Sequence, residues 1–517
     1  MVVVMDKSLV ELGRVVGETT HSGALFMAYR PPKVGEYVLI DYPGGDKVLG
    51  MVEWSRIGNP LITSGIKSLE TVIKAESFGA NRYEYMLGYA RLLTKVRTVI
   101  ENGAIEAPRH PPPPLAKVYE ASDSVLKKIF SKEDELGKPK PGWIKIGYLA
   151  NHPTVPVYVN INAIVSRHLA ILALTGAGKS NTVAVLVDNI VKTLRGTVLI
   201  IDMHNEYEGI GGNRFNKIYP KVNPIELSLW EFYRFLHLDA KATKQRMYFR
   251  MAYKEAKTTE LKRPENFLKT IKTLLEGYYS KPKVQQDRNS IADLLNKFEE
   301  LLDRYENRVF DITTPSDLRK VVKPGHVNVL MLGNVDEEAA DAIASHYIRR
   351  LLEDRKKARN NGEKGYPVPV LIVIEEAHIL IPKKYNTLTK DVASRIAREG
   401  RKFGVGLCLV SQRPKNIDED ALSQTNNKII LKLVEPNDQR YVQSSSETLS
   451  DELLELLPSL NVGEAIVLGL MTPLPALVKI EKFEGKKSGE DINIYEEWLK
   501  YSETEEKEEN IYDELGF

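Results

Sequence analysis

The sequence predicts an α/β protein: a parallel sheet covered by helices, a small β-rich domain in front of it, and a helical bundle inserted within it. Three observations carry this. Strand-length apolar runs such as "GTVLIID" and "VPVLIVIEE" alternate with longer helical stretches, and strands that are apolar throughout belong to sheets buried on both faces. A glycine-bearing turn, "LTGAGKS", joins one such strand to one such helix. Four consecutive prolines, Pro111 to Pro114, separate an N-terminal part rich in short strands from everything after it; such a run favours a stiff, extended connector.

Taken in order, residues 1–105 hold short strand-like segments, "GRVVG", "EYVLIDY", "VLGMVEW" and "YARLLTKV", punctuated by Gly, Pro, Asp and Asn. That pattern suits a small barrel or a sandwich. Residues 106–144 read as a proline-rich linker and a short helix, "ASDSVLKKIF". Strand–helix alternation fills 145–225, starting with "VPVYVNI" and "HLAILAL", and resumes over 323–483. Between them, 226–322 has helical spacing in "LWEFYRFLHL", "ATKQRMYFRMAYKEAK", "PENFLKTIKTLLEGYY" and "SIADLLNKFEELLDRY", hence the inserted bundle. Residues 484–517 form a polar, acidic extension with a short helix expected at "INIYEEWLKY".

The chain is long enough for two to four domains. At 43% hydrophobic and 27% charged it has the balance of a globular protein. Its single cysteine, Cys408, excludes an intramolecular disulfide and suits a reducing, cytoplasmic setting. The start lacks the basic and apolar regions of a signal peptide. No run approaches the ~20 apolar residues of a membrane helix. Lys+Arg of 72 against Asp+Glu of 70 leaves a net charge of +2. That balance does not exclude nucleic acid, because the acidic end offsets base elsewhere.

The chemistry concentrates in "ALTGAGKSN". The usual phosphate loop is G-x-x-x-x-G-K-[ST] between a strand and a helix. Here Ala173 takes the place of the first glycine, followed by Thr175, Gly176, Ala177, Gly178, Lys179, Ser180 and Asn181. The glycines let backbone N–H groups curl toward phosphates, and the helix start adds its positive end. Lys179 would neutralise the β- and γ-phosphates of ATP, and the Ser180 hydroxyl would help hold Mg²⁺. If position 173 required positive φ, alanine would force the loop to change shape. The strand "VLIVIEEAH" supplies the acids: Glu376 as the base that activates water, Glu375 on the metal side. Gln412, ending "LVSQRP", is placed to sense the γ-phosphate or the attacking water. Arg395, Arg398 and Arg401 line the intervening helix, where a guanidinium can reach a neighbouring subunit's γ-phosphate.

Together, "VPVYVNINAIVSRHLAILALTGAGKSNT", "VLIIDMHNEY", "VLIVIEEAHILIP", "AREGRKFGVGLCLVSQRP" and "NNKIILKLV" resemble the HerA family of archaeal hexameric DNA translocases, related to the FtsK motors. The resemblance implies an N-terminal β-barrel, a RecA-like P-loop NTPase core and a four-helix insert. It implies Lys179 and Ser180 as phosphate-loop residues, Glu376 as the catalytic glutamate and Gln412 as the phosphate sensor. Arg401 matches an arginine finger given in trans, and Arg167 a second arginine acting on nucleotide in cis. Asp202 and Glu206 match a further acidic motif. The implied activity is ATP-driven movement of a homohexameric ring along double-stranded DNA. The implied partner is a nuclease of the NurA type, docked at the barrel for DNA end resection in recombinational repair.

A motor that grips backbone needs Lys and Arg at its pore. The candidates are Lys383, Lys384 and Lys390 in "IPKKYNTLTK", beside Tyr385, and Arg214 and Lys217 in "EYEGIGGNRFNK". Two other readings share the same phosphate chemistry: a ring ATPase that moves protein, and a nucleotide-gated scaffold with little turnover.

Overall fold

The computed structural model describes residues 9–260, 263–281, 285–360, 365–446 and 448–485, with isolated positions between 494 and 501. The helix expected at 492–501 falls largely outside the described residues.

The N-terminal domain is a closed barrel. Its strands are β1 (Glu11–Val15), β2 (Gly23–Ala28), β3 (Tyr37–Asp41), β4 (Lys47–Gly58), β5 (Tyr85–Lys95) and β6 (Lys117–Glu120), in the order β1-β2-β5-β4-β3-β6. Closure leaves no free sheet edge, and it decides between barrel and sandwich. Alternating residues such as Phe26, Val38, Val52, Ala90 and Val118 fill the interior. Strand β6 lies inside the segment expected to be linker. Four residues give too short an alternation to stand out beside four prolines. Three helices accompany the barrel: α1 (Leu69–Ser77) between β4 and β5, α2 (Val96–Asn102) after β5, and α3 (Asp123–Phe130) after β6. The last is the short helix expected there. The barrel is seated on the core through Tyr37, whose ring lies 5.3 Å from that of Phe130 and whose hydroxyl donates to the Pro475 carbonyl at 2.6 Å.

The core begins with β7 (Trp143–Leu149), β8 (His152–Asn160), α4 (Ile161–Arg167), β9 (Leu169–Leu172), α5 (Lys179–Leu194), β10 (Val198–Asp202) and β11 (Phe215–Ile218). The insert follows as α6 (Leu229–Phe235), α7 (Thr243–Thr259), α8 (Phe267–Ser280) and α9 (Gln285–Tyr305). The chain then returns through α10 (Leu318–Val321), β12 (Val327–Met331), α11 (Glu337–Asn360), β13 (Val370–Ile374), α12 (Ala377–Leu380), α13 (Leu388–Phe403), β14 (Val405–Ser411), β15 (Asn427–Ile430), β16 (Glu464–Leu468) and β17 (Ala476–Ile480).

These strands form one eleven-stranded sheet, ordered β11-β12-β10-β13-β14-β9-β15-β16-β17-β7-β8. From β11 to β15 every pairing is parallel. From β15 to β8 every pairing is antiparallel. The apolar stretch "VPVYVNI" therefore belongs to an antiparallel edge strand rather than to the parallel sheet, since an apolar run marks burial and not direction. The insert packs round aromatic rings: Phe232 lies within 6.2 Å of Phe249, Tyr253, Phe267 and Phe310. It is tied to α11 by Glu231, which caps α6 and receives Arg349 at 3.0 Å. Among the described residues no helix is long and apolar enough to cross a membrane.

In a parallel sheet the loops after the strands gather at one edge, and ligands bind there. Here β14 lies between β9 and β13. The phosphate loop, the acidic turn and the Gln412 turn are thus neighbours, although far apart in sequence.

Candidate ATPase site

The phosphate loop leaves β9 at Ala173 and enters α5 at Lys179. Gly176 and Gly178 have φ of 77° and 102°. Open space surrounds the position of a Gly176 Cβ, and a Gly178 Cβ would sit 3.4 Å from Gly463. Conformation rather than crowding therefore demands glycine at both. Ala173 is fully buried and is not among the residues with positive φ. Its N–H donates to the Ser411 carbonyl at 3.2 Å, continuing the β9–β14 pairing. The loop has no need of glycine there.

Lys179 bridges both acids, 2.5 Å from Glu375 Oε1 and 2.5 Å from Glu376 Oε1. All three side chains are buried or nearly so. Burial pushes the Glu375 carboxyl up to about 7, against the pull of Lys179. Burial also pushes Glu376 up, but His378 and Lys179 outweigh it and take that carboxyl down to about 2. Lys179 is held above its usual range: burial lowers it, and the two carboxylates more than compensate. The two acids thus differ in character, Glu376 being the ionised one, as a base must be. Its backbone is left-handed, φ 45° and ψ 49°, a conformation that non-glycine residues adopt with strain and that recurs at functional turns.

The "DMHNEY" segment after β10 completes this edge. Asp202 accepts backbone N–H groups from His204, Glu206 and Tyr207 at 3.0–3.2 Å, so it shapes the turn. Glu206 accepts the Ser180 hydroxyl at 2.8 Å, and the Tyr207 hydroxyl donates to Glu375 Oε2 at 2.9 Å. On the other side the Thr175 hydroxyl donates to Gln412 Oε1. Two loop residues are turned elsewhere. Asn181 bonds the chain after β17, to the Glu481 carbonyl at 2.7 Å and the Phe483 N–H at 2.8 Å. The Ala177 N–H is used within the turn, on the Leu174 carbonyl at 3.1 Å.

Comparison with known proteins shows the family. The chain matches the HAS barrel domain over residues 12–98, the central domain of helicase HerA over 144–351, and the HerA-like C-terminal domain over 325–483. It is 41% identical over 502 residues to the DNA double-strand break repair helicase HerA of Saccharolobus solfataricus, covering 96% of this chain and 97% of that protein. The chain belongs to the HerA family. A probable helicase of Methanocaldococcus jannaschii is 40% identical over 498 residues, covering 95% of this chain and 94% of that one. Among solved structures, VirB4 of Thermoanaerobacter pseudethanolicus superposes with a TM-score of 0.50 at 16% identity, over 67% of this chain and 98% of that chain. That likeness confirms the P-loop NTPase fold of the core. As a HerA-family protein the chain is an enzyme of the ATPase and helicase type.

Both arginines singled out by the resemblance lie at the other edge of the sheet. Arg401 is exposed near the end of α13, just before β14, so it occupies the sheet edge opposite Lys179. At ~3.3 Å per residue, the seven residues of β14 separate the two edges by about 23 Å. Arg401 opens instead on a groove of about 590 Å³ lined also by Val165, Thr197 and Val370. Arg167, likewise exposed, ends α4 and precedes β9. The phosphate loop follows β9, so Arg167 and Lys179 stand at opposite ends of one strand. Arg167 thus shares the edge of Arg401, one four-residue strand before its own loop.

The DNA candidates divide. Lys384 and Tyr385 are exposed on the loop after α12, and Lys383 is loosely paired, 3.5 Å from Glu419 and 4.6 Å from the Tyr441 ring. Lys390 is spent internally, 2.7 Å from Asp418 and donating to the Pro382 carbonyl at 3.0 Å. Lys217 pairs with Glu208 at 2.8 Å, and Arg214 donates to the Gly325 carbonyl at 3.2 Å. These three are engaged within the chain. Sequence reading missed Tyr207 and His378. Both lie inside the motifs singled out, but nothing in a linear motif tells which members turn inward.

Proposed function

We propose that the chain is an ATP-hydrolysing motor that assembles as a homohexameric ring and moves along double-stranded DNA. On this reading it acts with a NurA-type nuclease, docked on the barrel, in resecting DNA ends for recombinational repair in the cytoplasm. The observation that carries it is the Lys179–Glu375–Glu376 cluster at the mouth of a sound phosphate loop, with the arginines on the far edge. A ring would bring that edge against a neighbour's phosphates.

The chain's own groups supply a coherent hydrolysis. Arrival of ATP offers Lys179 a more highly charged partner, and Lys179 moves from the carboxylates to the β- and γ-phosphates. Glu376, freed at Oε1, accepts a proton from the attacking water. The water oxygen bonds to the γ-phosphorus while the bond from that phosphorus to the bridging oxygen breaks, giving ADP and phosphate. Gln412 orients the water or the γ-phosphate, and Arg401 of a neighbour meets the developing charge. Ser180, Glu206 and Glu375 offer only oxygen, the donor chemistry that suits Mg²⁺. Mg²⁺ would neutralise phosphate charge there.

DNA is favoured as the track because curated relatives covering nearly the whole chain are named for DNA double-strand break repair. Lys383, Lys384 and Tyr385 stand exposed directly after the acidic turn, where nucleotide state can move them. The deciding experiment measures ATP turnover with and without linear double-stranded DNA, at low and moderate salt, with Lys179→Ala as the blank. Salt-sensitive stimulation by DNA is expected. Turnover indifferent to DNA would favour a protein track, and absence of turnover would favour a nucleotide-gated scaffold.

A further inference from the structure

Lys179 holds Glu376 Oε1 at 2.5 Å, while the buried Oε2 has no hydrogen-bond partner among the described residues and lies 3.1 Å, an ion-pair distance, from His378 Nδ1. The two contacts differ in kind. Lys179 has a second destination, the phosphates. His378 lies on α12, just after Glu376 itself, with its side chain only 13% exposed. Once Lys179 leaves, His378 is the remaining side-chain contact on a carboxylate whose backbone is strained.

The same Nδ1 lies 3.1 Å from the hydroxyl of Ser411, the last residue of β14. That hydroxyl also accepts the Arg413 N–H at 3.0 Å. The Ser411 carbonyl accepts the N–H of Ala173, where the phosphate loop begins, and the next residue, Gln412, is bonded to Thr175 of that loop. One ring nitrogen thus stands between the acidic turn and the turn facing the γ-phosphate, bonded to Ser411 and at ion-pair distance from Glu376. A ring nitrogen carries one proton or one lone pair, so tightening toward Glu376 loosens Ser411 and the reverse.

We infer that His378 is a positioning residue for the hydrolytic step: it holds the Glu376 carboxylate while Lys179 is engaged with nucleotide, and transmits to it any shift at the end of β14. This rests on the reading that Glu376 is the base. The test uses the full chain and compares steady-state ATP turnover and nucleotide binding for His378→Ala, His378→Asn, Ser411→Ala and the double variant that combines His378→Ala with Ser411→Ala, with Glu376→Gln as reference. His378→Ala is expected to lower kcat by about 30- to 100-fold, the scale of a misplaced reacting group, with KM for ATP changed less than about threefold. His378→Asn, which returns an N–H donor near the Nδ1 position, should recover to within about fivefold of wild type. The double variant should be no slower than His378→Ala, because both changes break one link.

A His378→Ala kcat within about twofold of wild type would overturn the inference. So would a rise in KM matching the fall in kcat with His378→Asn equally impaired, since that is the mark of a merely structural residue. If Glu376→Gln turns over normally, the base assignment fails and this inference with it, while His378→Ala alone behaving as wild type leaves the base assignment standing.

Discussion

The two edges of the parallel sheet are built on opposite plans. At the edge after the strands, the polar groups engage one another: Lys179 bridges two acids, His378 lies at ion-pair distance from Glu376, and Ser180 donates to Glu206. At the edge before the strands, Arg167 and Arg401 stand exposed beside a groove and a cleft. One edge is complete and locked, and the other is unlocked and incomplete. The contrast teaches that, if the arginines belong to the site as proposed, a single chain cannot bring the two halves together, because about 23 Å of sheet lies between. On the proposed ring reading, one copy's exposed edge meets another's closed one.

The largest effect should come from breaking the exposed edge. Arg401→Ala is expected to lower turnover by about 10³-fold or more, the range of an arginine finger, while nucleotide affinity and oligomeric state stay near wild type. Both are checked by fluorescent-nucleotide titration and light scattering. Mixing Arg401→Ala with Lys179→Ala should restore some turnover if subunits exchange, since a Lys179-intact copy can borrow an arginine from its neighbour. Full activity in Arg401→Ala alone would show that the exposed edge takes no part.

Breaking the closed edge at its base comes next. Glu376→Gln keeps the shape and removes the proton acceptor, and about 10²- to 10⁴-fold of kcat should go with it. ATP should still bind, so a trapped ATP complex is the readout.

A subtler change tests how the closed edge is locked. Glu375 is raised in the fold from 4.5 to about 7. The folded state therefore holds a proton that the unfolded state gives up, and the associated stability is present below about pH 4.5 and lost as pH rises through about 7. Glu376, lowered to about 2, contributes in the other sense, losing its share only as pH falls from 4.5 toward 2. Between pH 5 and 8, Glu375 alone of the two changes the balance. Nucleotide-free Glu375→Gln should show a flatter dependence of Tm on pH over that window than wild type. An unchanged slope would mean that Glu375 does not carry this proton.

How legible each edge was in the sequence follows from the same contrast. The closed edge is written in contiguous motifs, so Lys179, Ser180, Glu376 and Gln412 were readable, as were most strands of the core. What was not readable is direction. Nothing in "DMHNEY" says that Asp202 turns back onto its own backbone while Glu206 and Tyr207 reach across to Ser180 and Glu375. Nothing in "SRHLAI" says that Arg167 stands at the opposite end of a strand from a loop only a few residues later, because that depends on where β9 begins and ends. The lysines divide for the same reason: Lys384 and Lys390 look alike in the sequence, and only the fold supplies Asp418 to one of them. β6 escaped because four residues cannot show a period, and β8 because apolarity is silent about strand direction.

The smallest effect belongs to the residue that looked most anomalous. Ala173 stands where phosphate loops usually have glycine, yet its backbone continues the strand and it has no positive φ. The curl begins later, at Gly176. Ala173→Gly should therefore leave the phosphate contacts unchanged and cost only what a glycine adds to unfolded-chain freedom plus one buried methyl, about 1–2 kcal/mol of stability. Turnover and nucleotide affinity should shift by less than about tenfold, equivalent to ~1.4 kcal/mol. A change beyond about a hundredfold would place the start of the loop one turn earlier, and would move the closed edge's tolerance for substitution with it. The opposite substitution sharpens the point: Gly178→Ala, forced to a φ of 102°, should be far more damaging than Ala173→Gly, although both exchange the same two residues.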